Sequence, residues 1–147
     1  MDLFAIAEQV AETLDIGPGT RVFEVDCGRG ELLFPFYSNG YIVGGTDGDS
    51  AAIEQALKEM PEGLFNVAMA SSLDPAMPWD VVICRSLAGA PDTGYVRGLV
   101  ARMLAKATHA IALLNVPEKH HQLLLHALAE AGATAIQIDG ADVFARI

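Results

Sequence analysis

The sequence is poor in cysteine, poor in basic residues and free of long apolar runs, and each shortage removes a class of protein. Its two cysteines, Cys27 and Cys84, stand far apart, and neither belongs to a C-x-x-C pair. That excludes a disulfide or zinc framework, leaves no metal site to expect, and fits a reducing, cytoplasmic setting. Lys and Arg number 9 against 19 Asp and Glu, a formal net charge of −10. Nucleic-acid binding needs clustered positive charge, and these bases are scattered, so nucleic acid is not an expected partner. No run of about 18 apolar residues is present to span a membrane. Met1-Asp2-Leu3-Phe4 carries an acid where a secretory leader carries bases. Repeats, low-complexity stretches and linkers are also missing. What is there is 147 residues, 52% of them hydrophobic. That supports one domain over 1–147, with an N-terminal helix in 1–16 and an α/β core in 20–147.

Taken in order, the chain alternates between the two periodicities. Leu3, Ile6, Ala7, Val10 and Leu14 recur at helical spacing behind Asp2, an N-cap residue, and Gly17-Pro18-Gly19 ends that helix. Residues 21–26 form a first strand, 31–38 a short helix with Pro35 in its first turn, and 41–46 a second strand leading to Asp47. A helix over about 50–60 presents Ile53, Ala56, Leu57 and Met60 on one face and ends at Pro61-Glu62-Gly63. A weaker third strand, 64–70, precedes an irregular loop with Pro75 and Pro78. A clear fourth strand follows over 79–84, then a helix around 96–104, a fifth strand over 109–115 and a helix over 118–131 closed by Gly132. Residues 135–138 and 143–147 flank Asp139-Gly140 as a terminal hairpin. Five strand–helix units and a hairpin spell a doubly wound, mostly parallel seven-stranded α/β sheet, helices on both faces, with the hairpin antiparallel.

The stretch from Arg21 to Glu31 organises the rest. Val22, Phe23 and Val25 suit a buried parallel strand, and Gly28 and Gly30 then permit positive φ and close backbone approach. Strand, glycine turn and helix start together leave N–H groups free for a small polar or anionic ligand. Ligands of such sheets bind outside the carboxyl ends of the strands. There Asp47 can accept from both hydroxyls of a ribose, while Asp49 or Ser50 stands nearer to cap the following helix.

On these residues the chain resembles the class I S-adenosylmethionine-dependent methyltransferases over essentially its full length. Glu24-Val25-Asp26-Cys27-Gly28-Arg29-Gly30 matches that family's acid, hydrophobe and second and third glycines, with Asp26 in place of the first glycine. Gly45-Thr46-Asp47 resembles its acidic second-strand end, and Trp79 to Ser86 its fourth-strand motif. The resemblance implies S-adenosylmethionine as cofactor, with the turn Asp26, Cys27, Gly28 and Gly30 holding the methionine part and Glu24 near its amino group. It implies Asp47, followed by Gly48, on the ribose; Ser71, Ser72 and Leu73 beside the adenine; and Arg85 to Leu87 bordering the methyl group. Asp26 then brings negative charge near the cofactor's own carboxylate, which leaves it to pair with Arg29 or with the ligand's ammonium, or to depress affinity. A nicotinamide dinucleotide fits less well, because Leu33 stands where G-x-G-x-x-G requires Gly or Ala.

The acceptor is less legible. His120 and His121 open a helix on the substrate side and are the candidates for a general base, although adjacent histidines at a helix start are more often solvated surface. The Asn-Pro-Pro-aromatic signature of amino-group methyltransferases is replaced by Arg85-Ser86-Leu87-Ala88-Gly89. The core fold uses nearly all the chain, so only 2–15, 87–94 and 115–121 remain to roof an acceptor. Such a thin roof suits a partner subunit, a homodimer supplying a lid, a large substrate or a protein that has lost catalysis; the expected partner is a small-molecule substrate or a partner protein. A methyltransferase of a small molecule is the first reading, and a non-catalytic binding or scaffolding subunit of the same fold the second.

Overall fold

The computed structural model describes residues 2–147. Helix α1 (Leu3–Leu14) starts where Asp2 accepts a 2.9 Å hydrogen bond from the Phe4 N–H, and stops at Asp15 in the left-handed conformation. The core then runs β1 (Arg21–Val25), α2 (Leu33–Ser38), β2 (Ile42–Asp47), α3 (Ser50–Glu59), β3 (Leu64–Val67), β4 (Trp79–Cys84), α4 (Thr93–Lys106), β5 (Ala107–Leu113), α5 (His121–Glu130), β6 (Ala135–Asp139) and β7 (Asp142–Arg146).

The seven strands lie in the order β3-β2-β1-β4-β5-β7-β6. The first five are parallel, and β7 inserts antiparallel between β5 and β6. The expected doubly wound sheet with a C-terminal antiparallel hairpin is therefore what forms. Alternation along each inner strand feeds two cores. Val22, Val43, Val81, Ile83, Ala110 and Ala112 pack with α1, α2 and α3 on one face. Phe23, Val25, Val82, Cys84, Ile111 and Leu113 pack with α4 and α5 on the other. From β1 the chain builds outward to β3, then returns to lay β4 on the opposite side of β1, so strand order reverses between β1 and β4.

Three expectations need correction. The chain holds four strand–helix units rather than five, because between β3 and β4 only a three-residue 3-10 turn, Ala70–Ser72, forms. Pro75 and Pro78 lack the N–H groups a helix would use. The loop is fastened instead by Lys106, whose Nζ donates to the carbonyl oxygens of Asp74 (2.6 Å) and Met77 (3.0 Å) above the Phe23 ring. The third strand is also shorter than 64–70. As the edge of the sheet it pairs only with β2, over Leu64 to Val67. The helix expected over 118–131 opens as a 3-10 turn, Glu118–His120, after Pro117, and becomes α5 at His121.

Candidate functional site

The strand-order reversal brings the carboxyl ends of β1, β2 and β4 together, and the turn after β1 lies over them. Three residues of that turn have positive φ: Asp26 (55°), Gly28 (58°) and Gly30 (78°). Aspartate enters this region more readily than most residues, which is how it stands at the first of the three positions. The turn is anchored to β2 by a 2.9 Å bond from the Cys27 N–H to the Thr46 carbonyl. Gly45 makes the approach feasible, since a Cβ there would lie 2.8 Å from the Glu24 carbonyl oxygen and 2.9 Å from the Cys27 side chain. Burial pushes the Cys27 thiol up to about 12, so it behaves as a small apolar group.

That close packing places Asp47 against the turn. Its Oδ2 accepts from the Gly28 N–H and its Oδ1 from the Asp49 N–H, both at 2.9 Å. Asp49 in turn caps α3 through the N–H groups of Ala51 (3.0 Å) and Ala52 (3.4 Å). Asp47 is thus free of the capping task, half-buried, and retains lone pairs for further donors.

Beside it lies a second group of charges. Glu24 is wholly buried in β1, and the Arg85 Nε, at the end of β4, donates to its Oε2 at 2.8 Å. Its Oε1 has no hydrogen-bond partner among the described residues. Burial raises the Glu24 carboxyl to about 7; Arg85 opposes the rise, and Glu31 and Asp26 add to it. The partner of Asp26 is Ser86, whose Oγ donates at 2.6 Å, and not Arg29, as the sequence had suggested. Arg29 is exposed, and its N–H donates to Glu31.

Arg85 also lines a cavity of about 600 Å³ between α1 and the ends of β4 and β5. Leu3, Ile6 and Leu114 supply its apolar surface; Gln9, Asn115 and Asp142 supply polar groups. Asn115 has φ 54° and donates its N–H to Asp142 at 2.9 Å. Of the segments that the sequence left to roof an acceptor, 2–15 supplies Leu3, Ile6 and Gln9 and 115–121 supplies Asn115, while Ala141 and Asp142 come from the terminal hairpin, which the sequence did not point to. The ion pair joins residues 61 apart, and its only signal was an acid inside an apolar strand, which needs a cation nearby.

Glu24, Asp26, Cys27, Gly28, Gly30, Asp47 and Arg85 are thus gathered at the carboxyl ends of β1, β2 and β4, with Gly48 just beyond Asp47. Ser71 and Ser72 are exposed on the turn after β3, and Leu73 is buried in the core beside Phe23 and Trp79. His121 Nε2 lies 3.2 Å from the carbonyl oxygen of Val116, in its own loop, and neither His120 nor His121 lines the 600 Å³ cavity.

No family model matches the sequence, and no curated protein matches it. Solved structures do. Magnesium protoporphyrin IX methyltransferase (ChlM) from Synechocystis PCC 6803 with bound SAM superimposes with a TM-score of 0.82 at 18% identity, covering 97% of this chain and 78% of that one. CalS10, an amino pentose methyltransferase from Micromonospora echinaspora, also with SAM bound, gives 0.80 at 16% identity over 99% of this chain and 92% of its own. Streptomyces venezuelae DesVI gives 0.83 at 13% identity, with the same two coverages. Strand order, terminal hairpin and these superpositions agree: the chain has the class I methyltransferase fold.

Proposed function

We propose that the protein is an S-adenosylmethionine-dependent methyltransferase acting on a small molecule. The observation that carries this reading is the bond between the Gly28 N–H and Asp47, which sets an acid with spare acceptor capacity against a turn of positive-φ residues. The residues present fit the cofactor. The buried, unpartnered Oε1 of Glu24 can accept from an ammonium, and Gly28 presents backbone without a Cβ beside Asp47, whereas Gly30 is a glycine because Met60 packs against it. In this reading Asp47 holds the ribose, Cys27 to Gly30 hold the methionine part, Ser71 and Ser72 border the adenine, and Arg85 borders the methyl group. Two of the structural neighbours are described with SAM bound, and their named substrates, a protoporphyrin and an amino pentose, are small molecules.

When bound, the sulfonium supplies an activated methyl carbon. The chain's own contribution is alignment and exclusion of water. Leu3 and Ile6 of α1 close one side of the 600 Å³ cavity, and Arg85 spans from that cavity to Glu24, so the acceptor and the cofactor share one wall. The polar groups of Gln9, Asn115 and Asp142 suit an acceptor carrying hydroxyl or amino groups. Both cysteines are free and buried, as a cytoplasmic protein allows.

Thermal denaturation with S-adenosylmethionine and S-adenosylhomocysteine tests the reading. At about 100 times its dissociation constant, either ligand stabilises the fold by about 2.7 kcal/mol. Asp47→Ala is expected to abolish that stabilisation. A full shift retained in Asp47→Ala removes the ribose assignment, and no shift in the unmodified protein removes the cofactor.

A further inference from the structure

We infer that the cavity beneath α1 takes a carboxylic acid with a single negative charge, held by the terminal nitrogens of Arg85; that this molecule is the methyl acceptor rests on the methyltransferase reading above. Arg85 is the only base among the described residues that line this space of about 600 Å³. Its guanidinium is planar, stays charged at any ordinary pH and carries its N–H donors in a fixed fork. One donor, at Nε, is spent on Glu24 Oε2 at 2.8 Å. The pairing is single rather than forked, because Glu24 Oε1 has no partner among the described residues. Arg85 makes no other hydrogen bond or ion pair there. Its two terminal nitrogens are therefore uncommitted, and the fork between them is the part of the group that matches the two oxygens of a carboxylate. The side chain is 30% exposed, so the fork is reachable while Glu24 holds the head in place.

The rest of the cavity decides which anion fits. Leu3, Ile6 and Leu114 give it an apolar wall, so the molecule carries hydrocarbon beside its charge. Asp142 lines the same space, and the chain as a whole has a net charge of −10. One guanidinium in such surroundings balances one negative charge. A phosphate, carrying nearly two, would leave an excess facing Asp142. Burial also raises the Glu24 carboxyl to about 7, so near neutral pH Glu24 cancels only part of the charge on Arg85. A neutral molecule that displaced water from the fork would meet its donors weakly or not at all, and would lose affinity for that reason.

NMR titration of the intact, isotope-labelled chain with benzoate and with benzamide tests this, since the two share a shape and differ in charge. Each titration is run with and without S-adenosylhomocysteine. Benzoate is expected to bind about tenfold more tightly than benzamide, the margin of charge-assisted over neutral hydrogen bonds, and to shift the side-chain signals of Arg85. Arg85→Lys keeps a cation for Glu24 but loses the fork, and should bring the ratio down to about threefold or less. Ile6→Trp leaves the ion pair intact and fills the cavity, so it should weaken benzoate binding about tenfold or more. Equal binding of the two probes, binding of neither, a ratio that Arg85→Lys leaves unchanged or a benzoate affinity that Ile6→Trp leaves unchanged overturns the carboxylate assignment. Inorganic phosphate bound more tightly than benzoate overturns it as well. A preference for benzoate in a chain that fails to bind S-adenosylhomocysteine supports the carboxylate site and removes the methyltransferase reading instead.

Discussion

Glu24 lies between Phe23 and Val25 in a central strand, where its carboxylate has lost water on every side and gained one guanidinium. Burial wins over Arg85, and the carboxyl rises to about 7 from an ordinary 4.5. The folded protein therefore holds a proton between those two values that the unfolded chain has released. Stability contributed by this group is complete below the lower value and is lost as pH rises through the upper one. The loss amounts to about 3 kcal/mol. Glu24→Gln keeps the shape and removes the titration, so its urea midpoint should change less than that of the unmodified protein between pH 5 and pH 8. Parallel pH profiles for the two proteins would show that the carboxyl titrates normally. Only the acid's place in the strand was legible beforehand. Its cation arrives from the far end of β4, and no local spacing announces it.

Among the elements, the β1 turn and β2 act as one unit. Cys27 nests on β2 because Gly45 has no side chain, and that nesting carries Gly28 to Asp47. Gly45→Ala would press a methyl group against the Glu24 carbonyl and the Cys27 Cβ, atoms that cannot turn aside. Overpacking of this kind costs about 1–3 kcal/mol. Chemical denaturation should show that loss, together with a smaller stabilisation by S-adenosylmethionine; a variant as stable as its parent would mean the two strands can separate freely. Element identity was largely readable, since α1, α3 and α4 follow an apolar period of 3.6, β1 and β4 are short apolar runs buried almost throughout, and the hairpin flanks Asp139-Gly140. The β3–β4 connection was not counted correctly. A run with two prolines forbids a helix locally, but that Lys106 pins it depends on α4 ending beneath it.

For the molecule as a whole, the dominant fact is a net charge of −10. Folding concentrates part of that excess, as Glu24, Asp26, Glu31 and Asp47 are drawn to the same strand ends by the fold. Such crowding opposes the compact state and is relieved by screening. Raising sodium chloride from about 20 to about 300 mM should therefore raise the melting temperature by about 3 °C. Asp26→Asn should gain less from salt, having one charge fewer to screen. A melting temperature indifferent to salt would show that the acids are already neutralised by protonation or by Arg29 and Arg85.

The order of helices and strands, the glycine turn after β1 and the acid ending β2 were determined by the sequence alone, because each depends on neighbours within a few residues or on a period of 2 or 3.6. The partner of Asp26, the ion pair of Glu24 with Arg85 and the cavity beneath α1 were decided only by tertiary structure. They arise where strand order reverses, and that reversal sets β4 against β1 across about sixty residues of intervening chain. Contacts made at such separation leave no periodic trace in the chain, since the energy that selects them is gained only after the sheet has closed.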